Sequence, residues 1–137
     1  MVTLQKKILV VDDEVGFNHL LQELFGTTEH KILSASDAEQ ALQILKTEKV
    51  DLVVTDYQMP KINGLDFIQK AKEITPEARY ILVSGRLNSA ATRLALEGGV
   101  GGIFLKPVAM EALLSCANHL LASNISARSL QEIAQSN

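Results

Sequence analysis

Four apolar segments of the chain each end in a polar or charged side chain that could take part in chemistry. The residues at these ends are Asp12 and Asp13, Asp56, Ser84, and Lys106. Two carboxylates about 4 Å apart repel by roughly 4 kcal/mol at an effective dielectric near 20, so a cluster of three needs a cation or raised pKa values. Mg²⁺ binds such oxygen ligands, and a lysine and a hydroxyl can hold phosphoryl oxygens. Because aspartates can form aspartyl-phosphates, this set of side chains suits phosphoryl transfer.

The elements that would bring these side chains together can be predicted from the hydrophobic pattern. Apolar runs rich in Ile, Val and Leu, typical of strands buried on both faces, occupy residues 7–11, 31–35, 51–55, 80–84 and 102–106. Between them, apolar residues recur three or four positions apart, as in the predicted first helix with Phe17, Leu20, Leu21 and Leu24. This alternation predicts an α/β fold with a doubly wound five-stranded parallel sheet. The carboxyl ends of parallel strands share one edge, so the four segment ends should meet there.

Composition limits the kind of protein this is. The 137 residues are 47% hydrophobic and 21% charged, with a formal net charge of −3, which argues against nonspecific binding to nucleic acid or membranes. No apolar run approaches the roughly 18–20 residues that span a bilayer. The single Cys116 fits a reducing compartment, and we predict a cytoplasmic protein. We predict one domain over residues 1–122, followed by a polar C-terminal tail or linker over residues 123–137.

Each of these side chains also has an ordinary structural explanation. An aspartate after a strand is usually a turn former or a helix N-cap, and acids are favoured at helix N-termini. Ser84 by itself carries almost no information. The structural explanation weakens because the four positions converge on one edge with complementary chemistry. The three histidines show no spacing suggestive of a metal site; they are His19, His30 and His119.

Several motifs resemble those of the receiver domains of two-component response regulators, in particular chemotaxis regulators. They are "ILVVDDE", "DLVVTDYQMPKINGLDFI", "VSG" and "FLKP", and the resemblance covers roughly residues 6–122. It implies a flavodoxin-like (βα)5 fold with strand order 2-1-3-4-5. It also implies a signalling switch, which is not an enzyme beyond catalysing its own phosphorylation and dephosphorylation.

The resemblance assigns a metal site and a phosphoacceptor. Asp56 matches the aspartate that accepts a phosphoryl group from a phosphohistidine. Asp13 and Asp56 match side-chain ligands of Mg²⁺ or Mn²⁺, and Asp12 matches the residue that acts on the metal through water. Gln58 stands where the family supplies a backbone carbonyl to the metal.

Further residues match positions around the phosphoryl group. Lys106 and Ser84 match the groups that contact its oxygens, and Pro107 is expected to follow a cis peptide bond after Lys106. Gln58 and Arg86 occupy positions that tune the lifetime of the acyl phosphate. The resemblance therefore implies a complete set of reacting groups at one edge of the sheet.

The residues of the switch depart from the family pattern. The position three residues before the lysine, commonly Tyr or Phe, is Ile103 here, and Phe104 follows it. Gly85 follows Ser84 where alanine is common. Coupling between the hydroxyl of Ser84 and the output face is therefore expected to differ from that of an aromatic switch.

The resemblance implies a sensor histidine kinase or a histidine phosphotransfer protein as the phosphodonor. Phosphorylation would then switch a partner-binding face formed by the fourth helix, the fifth strand and the fifth helix. The sequence does not determine whether the output is a separate partner protein or an effector domain beyond Asn137. A homodimer that forms on phosphorylation is compatible with the family. Two alternatives remain: a phosphorylation-independent interaction module, which Ile103 favours, and a phosphatase with an aspartyl nucleophile, for which the chain has little room.

Overall fold

Five parallel strands form a single sheet in the order β2-β1-β3-β4-β5. A computed structural model describes residues 5–122, and the predicted tail over 123–137 lies outside the described residues. The strands are β1 (Lys7–Val11), β2 (Lys31–Ala35), β3 (Leu52–Asp56), β4 (Arg79–Ser84) and β5 (Gly102–Leu105). The helices are α1 (Val15–Phe25), α2 (Ala38–Thr47), α3 (Gly64–Ile74) and α4 (Ser89–Glu97), and residues 110–122 form helix α5 as far as the structure is described. The predicted fold class and strand order are confirmed.

The sheet separates two apolar clusters, which explains why its central strands show no polar alternation. One cluster joins side chains of β1, β3 and β4 to α2, α3 and α4, and the other joins the opposite faces of the same strands to α1 and α5. Every residue of β3 is buried, Asp56 included. Because residues on both faces of β1 and β3 leave water, the hydrophobic effect favours apolar residues at every position of these strands.

Short polar side chains determine where three of the helices begin. The carboxylate of Asp37 accepts a hydrogen bond from the Gln40 N–H at 2.7 Å and so caps α2. Asn63 caps α3 and Asn88 caps α4 in the same way. Caps of this kind are each worth about 1 kcal/mol. Since α2, α3 and α4 start near the carboxyl edge of the sheet, these caps also order the loops there.

One part of the predicted helical stripe differs in the structure. Leu21 is buried and Leu24 is half-buried, but Leu20 is 44% exposed and does not belong to the core. Leu20 and Leu21 are adjacent and point about 100° apart on a helix, so both cannot face the sheet. Among the described residues, no helix has the length and apolar character needed to cross a membrane.

Candidate functional site

Three carboxylates meet at the carboxyl edge of the sheet. β1 and β3 are parallel neighbours with Val11 opposite Thr55, which places the residue after β1, Asp12, beside Asp56. Ligand oxygens of Asp12, Asp13 and Asp56 all lie within 4.8 Å of one another. Asp12 is 1% exposed and Asp56 is 6% exposed, whereas Asp13 faces solvent. The structure thus brings together the acids that were predicted to converge.

Lys106 is the cation that compensates this cluster. Its Nζ lies 3.1 Å from Oδ2 of Asp12 and 3.4 Å from Oδ2 of Asp56, and it approaches Oε2 of Glu14 at 3.9 Å. Its backbone N–H donates to the carbonyl of Ser84 at 2.8 Å, which holds the start of the loop after β5 against the end of β4. The peptide bond from Lys106 to Pro107 is cis. One ammonium group therefore bridges the ends of β1 and β3.

Burial makes these carboxyl groups hard to ionise, and the charge of Asp56 adds to the effect at Asp12. Burial raises the pKa of Asp12 and the charge of Asp56 raises it further, while the Glu14 N–H and Lys106 oppose the shift. Burial also raises the pKa of Asp56, against the lowering effects of Lys106 and of nearby backbone N–H groups. Although burial lowers the pKa of Lys106, its contacts with the two acids outweigh that effect and raise it. The negative charge of the three carboxylates is therefore only partly compensated by Lys106.

This charge imbalance predicts that Asp56→Asn stabilises the metal-free protein near neutral pH. The substitution removes one of two buried carboxylates that repel each other, and the remaining acid keeps its contact with Lys106. We expect a gain of about 1 kcal/mol in the free energy of unfolding, because the relief of repulsion is partly cancelled by the loss of the ion pair between Asp56 and Lys106. Urea denaturation in buffer with chelator would measure it.

The pH dependence of this gain has a definite sign. A raised pKa means that the folded state binds a proton more tightly than the unfolded state, so wild-type stability falls as pH rises from the ordinary value of 3.8 through the raised pKa. The advantage of Asp56→Asn should accordingly grow over that window and be smallest in acid. A variant less stable than wild type at neutral pH would contradict this account of the site.

Asn18 is a structural residue of this edge that the sequence did not point out. It is buried, and its Nδ2 donates to the carbonyls of Asp12 and Ala35, each at 3.0 Å. These carbonyls belong to the ends of β1 and β2, and the Oδ1 of Asn18 accepts from Gln22 at 2.7 Å. The side chain therefore ties α1 to two strand ends and holds the backbone of Asp12. An asparagine in a helical stripe gives no sequence signal for this role.

Ser84 lies at the site but its hydroxyl is engaged elsewhere. The side chain is fully buried, and its Oγ donates to the carbonyl of Arg86 at 2.7 Å and accepts from the Arg86 N–H at 3.1 Å. To bind a phosphoryl oxygen it would have to give up these bonds with its own loop. A Cβ added to Gly85 would meet no atom within 4 Å, so steric crowding does not require glycine at this position.

The predicted switch residues pack on opposite faces of the sheet, and the side chains of the predicted tuning residues are exposed. Ile103 is half-buried against the cluster on the α2–α4 side, and Phe104 packs against the cluster on the α1–α5 side. Gln58 and Arg86 are exposed, and the Gln58 N–H donates to Oδ1 of Asp56 at 3.3 Å. Ile103 therefore packs on the face of the sheet that carries α4, and α4 is one element of the predicted partner-binding face.

The segment after Asp56 returns very closely to it. The N–H of Gly64 donates to the carbonyl of Tyr57 at 2.6 Å, and a Cβ on Gly64 would lie 2.3 Å from the carbonyl oxygen of Asp56. Lys61, inside this loop, has a left-handed φ of 74°. The "NG" of the sequence is thus a helix cap followed by a glycine that allows the first turn of α3 to touch the strand end.

A five-stranded parallel sheet in this order, with acids and a lysine at its carboxyl edge, defines a protein of the CheY-like flavodoxin class. Residues 8–118 match the family described as the response regulator receiver domain. The chain belongs to this family. Its members are the receiver domains of two-component response regulators and act as signalling switches.

Individual relatives agree with this family. The chain is 31% identical over 110 residues to the "Probable chemotaxis protein CheY" of Rhizobium etli, and covers 85% of that protein. It is 33% identical over 104 residues to the alkaline phosphatase synthesis transcriptional regulatory protein PhoP of Bacillus subtilis, but spans only 43% of it. The crystal structure of the signal receiver domain of an HD domain-containing protein from Pseudomonas fluorescens is 28% identical with a TM-score of 0.86, covering 94% of this chain and 96% of that one.

Proposed function

We propose that this receiver domain accepts a phosphoryl group from a phosphohistidine onto Asp56 with the help of a divalent cation. The observation that carries the proposal is the arrangement of three carboxylates within 4.8 Å, two of them buried and both bridged by Lys106. An Oδ of Asp56 forms a bond to phosphorus while the bond from phosphorus to the histidine nitrogen breaks, and the histidine is released. Catalysis of this kind rests on positioning and charge neutralisation.

The acids fit a hard divalent cation, which we propose is Mg²⁺ or Mn²⁺. Asp12, Asp13 and Asp56, with the backbone carbonyl of Gln58, would hold it, and carboxylate and carbonyl oxygens are the ligands that such ions prefer. When bound, the ion neutralises negative charge on the carboxylates and on the incoming phosphoryl oxygens. Burial raises the pKa values of Asp12 and Asp56, which supports a site that is short of positive charge without a cation.

The chain's own groups hold the phosphoryl oxygens. Lys106 can transfer a hydrogen bond from Asp56 to a phosphoryl oxygen because its ammonium already lies beside that carboxylate. Ser84 can donate to another oxygen once its hydroxyl leaves the Arg86 carbonyl. That movement would shift the loop between β4 and α4, and Ile103 packs on the same face of the sheet. We propose that a partner-binding face at α4, β5 and α5 changes in response.

The direct test is labelling by a small phosphodonor. We expect wild-type protein incubated with acetyl phosphate and Mg²⁺ to gain one labile phosphoryl adduct in intact-mass spectrometry. Asp56→Asn should abolish it, since the amide cannot act as the nucleophile. Asp51→Asn is a matched control: this acid also flanks β3, but its Oδ2 accepts the Lys7 N–H at the opposite edge. An adduct that persists in Asp56→Asn would reject the assignment.

The metal can be tested without any phosphodonor. We expect millimolar Mg²⁺ to raise the Tm of the wild-type protein, because a cation that binds the folded state stabilises it by mass action. The shift should be smaller in Asp13→Asn, which removes an exposed ligand and leaves the buried pair in place. Differential scanning calorimetry in chelator and in Mg²⁺ gives both values. A wild-type Tm that does not respond to Mg²⁺ would count against the metal site.

The proposed partners are a sensor histidine kinase or histidine phosphotransfer protein upstream, and an output partner or effector domain downstream. The second candidate function is a phosphorylation-independent interaction module, favoured by the aliphatic Ile103 in the switch position. Partner binding that is unchanged between the Asp56→Asn variant and phosphorylated wild type would favour this second function.

A further inference from the structure

An aromatic ring lies beside the cation of the site. The Nζ of Lys106 is 4.2 Å from the centroid of the Phe17 ring, which is within the range of a cation–π contact. Phe17 belongs to the first turn of α1, four residues after Asp13, and is half-buried against the apolar cluster of α1 and α5. Val15, two residues earlier in the same turn, is largely exposed. The ring is therefore held by packing at a position that reaches the reacting edge.

The ring and the carboxylates attract the same ammonium in different ways. An ammonium has three N–H donors and no acceptor, and Asp12, Asp56 and Glu14 all lie within 3.9 Å of it. Each carboxylate that holds a donor competes with a phosphoryl oxygen for it. The face of a phenyl ring attracts the cation through its quadrupole and offers no strong hydrogen-bond acceptor. The ring can thus hold the ammonium both before and after a donor moves to a phosphoryl oxygen.

We propose that Phe17 is a positioning residue that holds the Lys106 ammonium at the phosphoryl site while its hydrogen bonds pass from the aspartates to the phosphoryl group. The role is indirect, because the ring touches the lysine and not the reacting atoms. The inference rests on the proposed function, since it requires phosphorylation of Asp56. It also predicts a ring contact that exists without any phosphodonor.

Two substitutions at Phe17 distinguish the effect of the aromatic ring from the effect of an apolar side chain of similar size. Phe17→Leu keeps an apolar side chain and removes the ring, whereas Phe17→Tyr keeps the ring. Leu24→Ala is the matched control for packing, because Leu24 is half-buried on the same helix against the same cluster. The Tm of each variant is measured first, so that labelling is compared at temperatures where all of them are folded.

The first measurement is the NMR signal of the Lys106 side chain in metal-free, unphosphorylated protein. Its Hε protons, assigned by their absence in Lys106→Arg, should be shifted upfield by the ring in wild type and in Phe17→Tyr. The shift should be lost in Phe17→Leu and retained in Leu24→Ala. The second measurement is the rate constant for labelling by acetyl phosphate with Mg²⁺. It should fall about three- to tenfold in Phe17→Leu, because without the ring the ammonium would spend a correspondingly smaller fraction of its time in the rotamer that reaches the phosphoryl group, and it should stay near wild type in the other two.

The outcomes distinguish this inference from the proposed function. Labelling of Phe17→Leu at the wild-type rate, or an equal fall in Phe17→Leu and Phe17→Tyr, would overturn the positioning role while leaving phosphorylation of Asp56 intact. An unchanged Lys106 shift in Phe17→Leu would overturn the contact itself. Wild-type protein that forms no adduct would contradict the proposed function, and the positioning role would fall with it.

Discussion

Replacement of Gly64 by alanine is expected to destabilise the fold by about 3 kcal/mol and to move the Asp56 carboxylate. The new Cβ would lie 2.3 Å from the carbonyl oxygen of Asp56 and 2.8 Å from Cα of Tyr57. Both atoms belong to the backbone, so no side-chain rotation can relieve the overlap. Either α3 moves away from the sheet or the end of β3 shifts, and in both cases the 2.6 Å hydrogen bond from Gly64 to Tyr57 is lost or lengthened.

Urea denaturation measures the first part of this prediction, and labelling by acetyl phosphate measures the second. Gly16→Ala is the matched control, because Gly16 lies in α1 and a Cβ there would meet nothing within 4 Å. That substitution should stabilise the protein by about 0.5 kcal/mol through the better helix propensity of alanine. A Gly64→Ala variant as stable as wild type would show that the loop after Asp56 is more yielding than its contacts indicate.

The parallel α/β sheet and the convergence of the charged residues could be predicted from the hydrophobic pattern, whereas the strand order came from the resemblance to receiver domains. Burial on both faces favours apolar residues at successive positions, so β1, β3 and β4 contain the uninterrupted runs ILVV, LVV and ILV. Once strands and helices alternate, the handedness of their connections leaves few arrangements. Asp12, Asp56 and Lys106 then share an edge because each follows or ends a parallel strand.

The contacts made by α1 across the site could not be predicted from the sequence. They depend on how this helix is rotated against the sheet, which the stripe of apolar residues defines only coarsely. The apolar character of Phe17 would be the same whether the ring packed in the core or covered an ammonium group. Leu20 is equally apolar, but its side chain faces solvent. Asn18 bonds to backbone carbonyls of two strands, and such bonds leave no trace in residue type or spacing.

Replacement of Lys106 by methionine is expected to destabilise the metal-free protein through the charges of the site. Methionine keeps most of the apolar stem of the lysine but leaves Asp12 and Asp56 buried without their counter-ion. Removal of one partner from a buried ion pair costs roughly 3–5 kcal/mol. Because the Lys106 side chain is 20% exposed and water screens part of the interaction, we expect about 2 kcal/mol. Labelling of Asp56 should also slow sharply, since a phosphoryl oxygen loses its cation.

Denaturation of single and double variants identifies the cause of this loss. If uncompensated negative charge is responsible, Lys106→Met should cost less by about 1 kcal/mol in the Asp56→Asn background, because one buried charge is already absent. Lys61→Met, in which the lost ammonium pairs with Glu39 in solvent at 3.6 Å, should stay close to wild type. Equal costs of Lys106→Met in both backgrounds would instead point to a cause other than the Asp56 charge, such as the lost contact of the ammonium with the Phe17 ring.

The pH dependence of Lys106→Met follows from the same charges. Burial raises the pKa values of Asp12 and Asp56 in the wild-type protein, and Lys106 opposes the rise, so its removal raises them further. As pH falls through these values, the folded variant takes up protons that the unfolded chain does not yet bind, and its stability recovers. The deficit relative to wild type should therefore be largest near neutral pH and shrink in acid. Mg²⁺ should reduce it at neutral pH, because a bound cation replaces the charge that the lysine supplied.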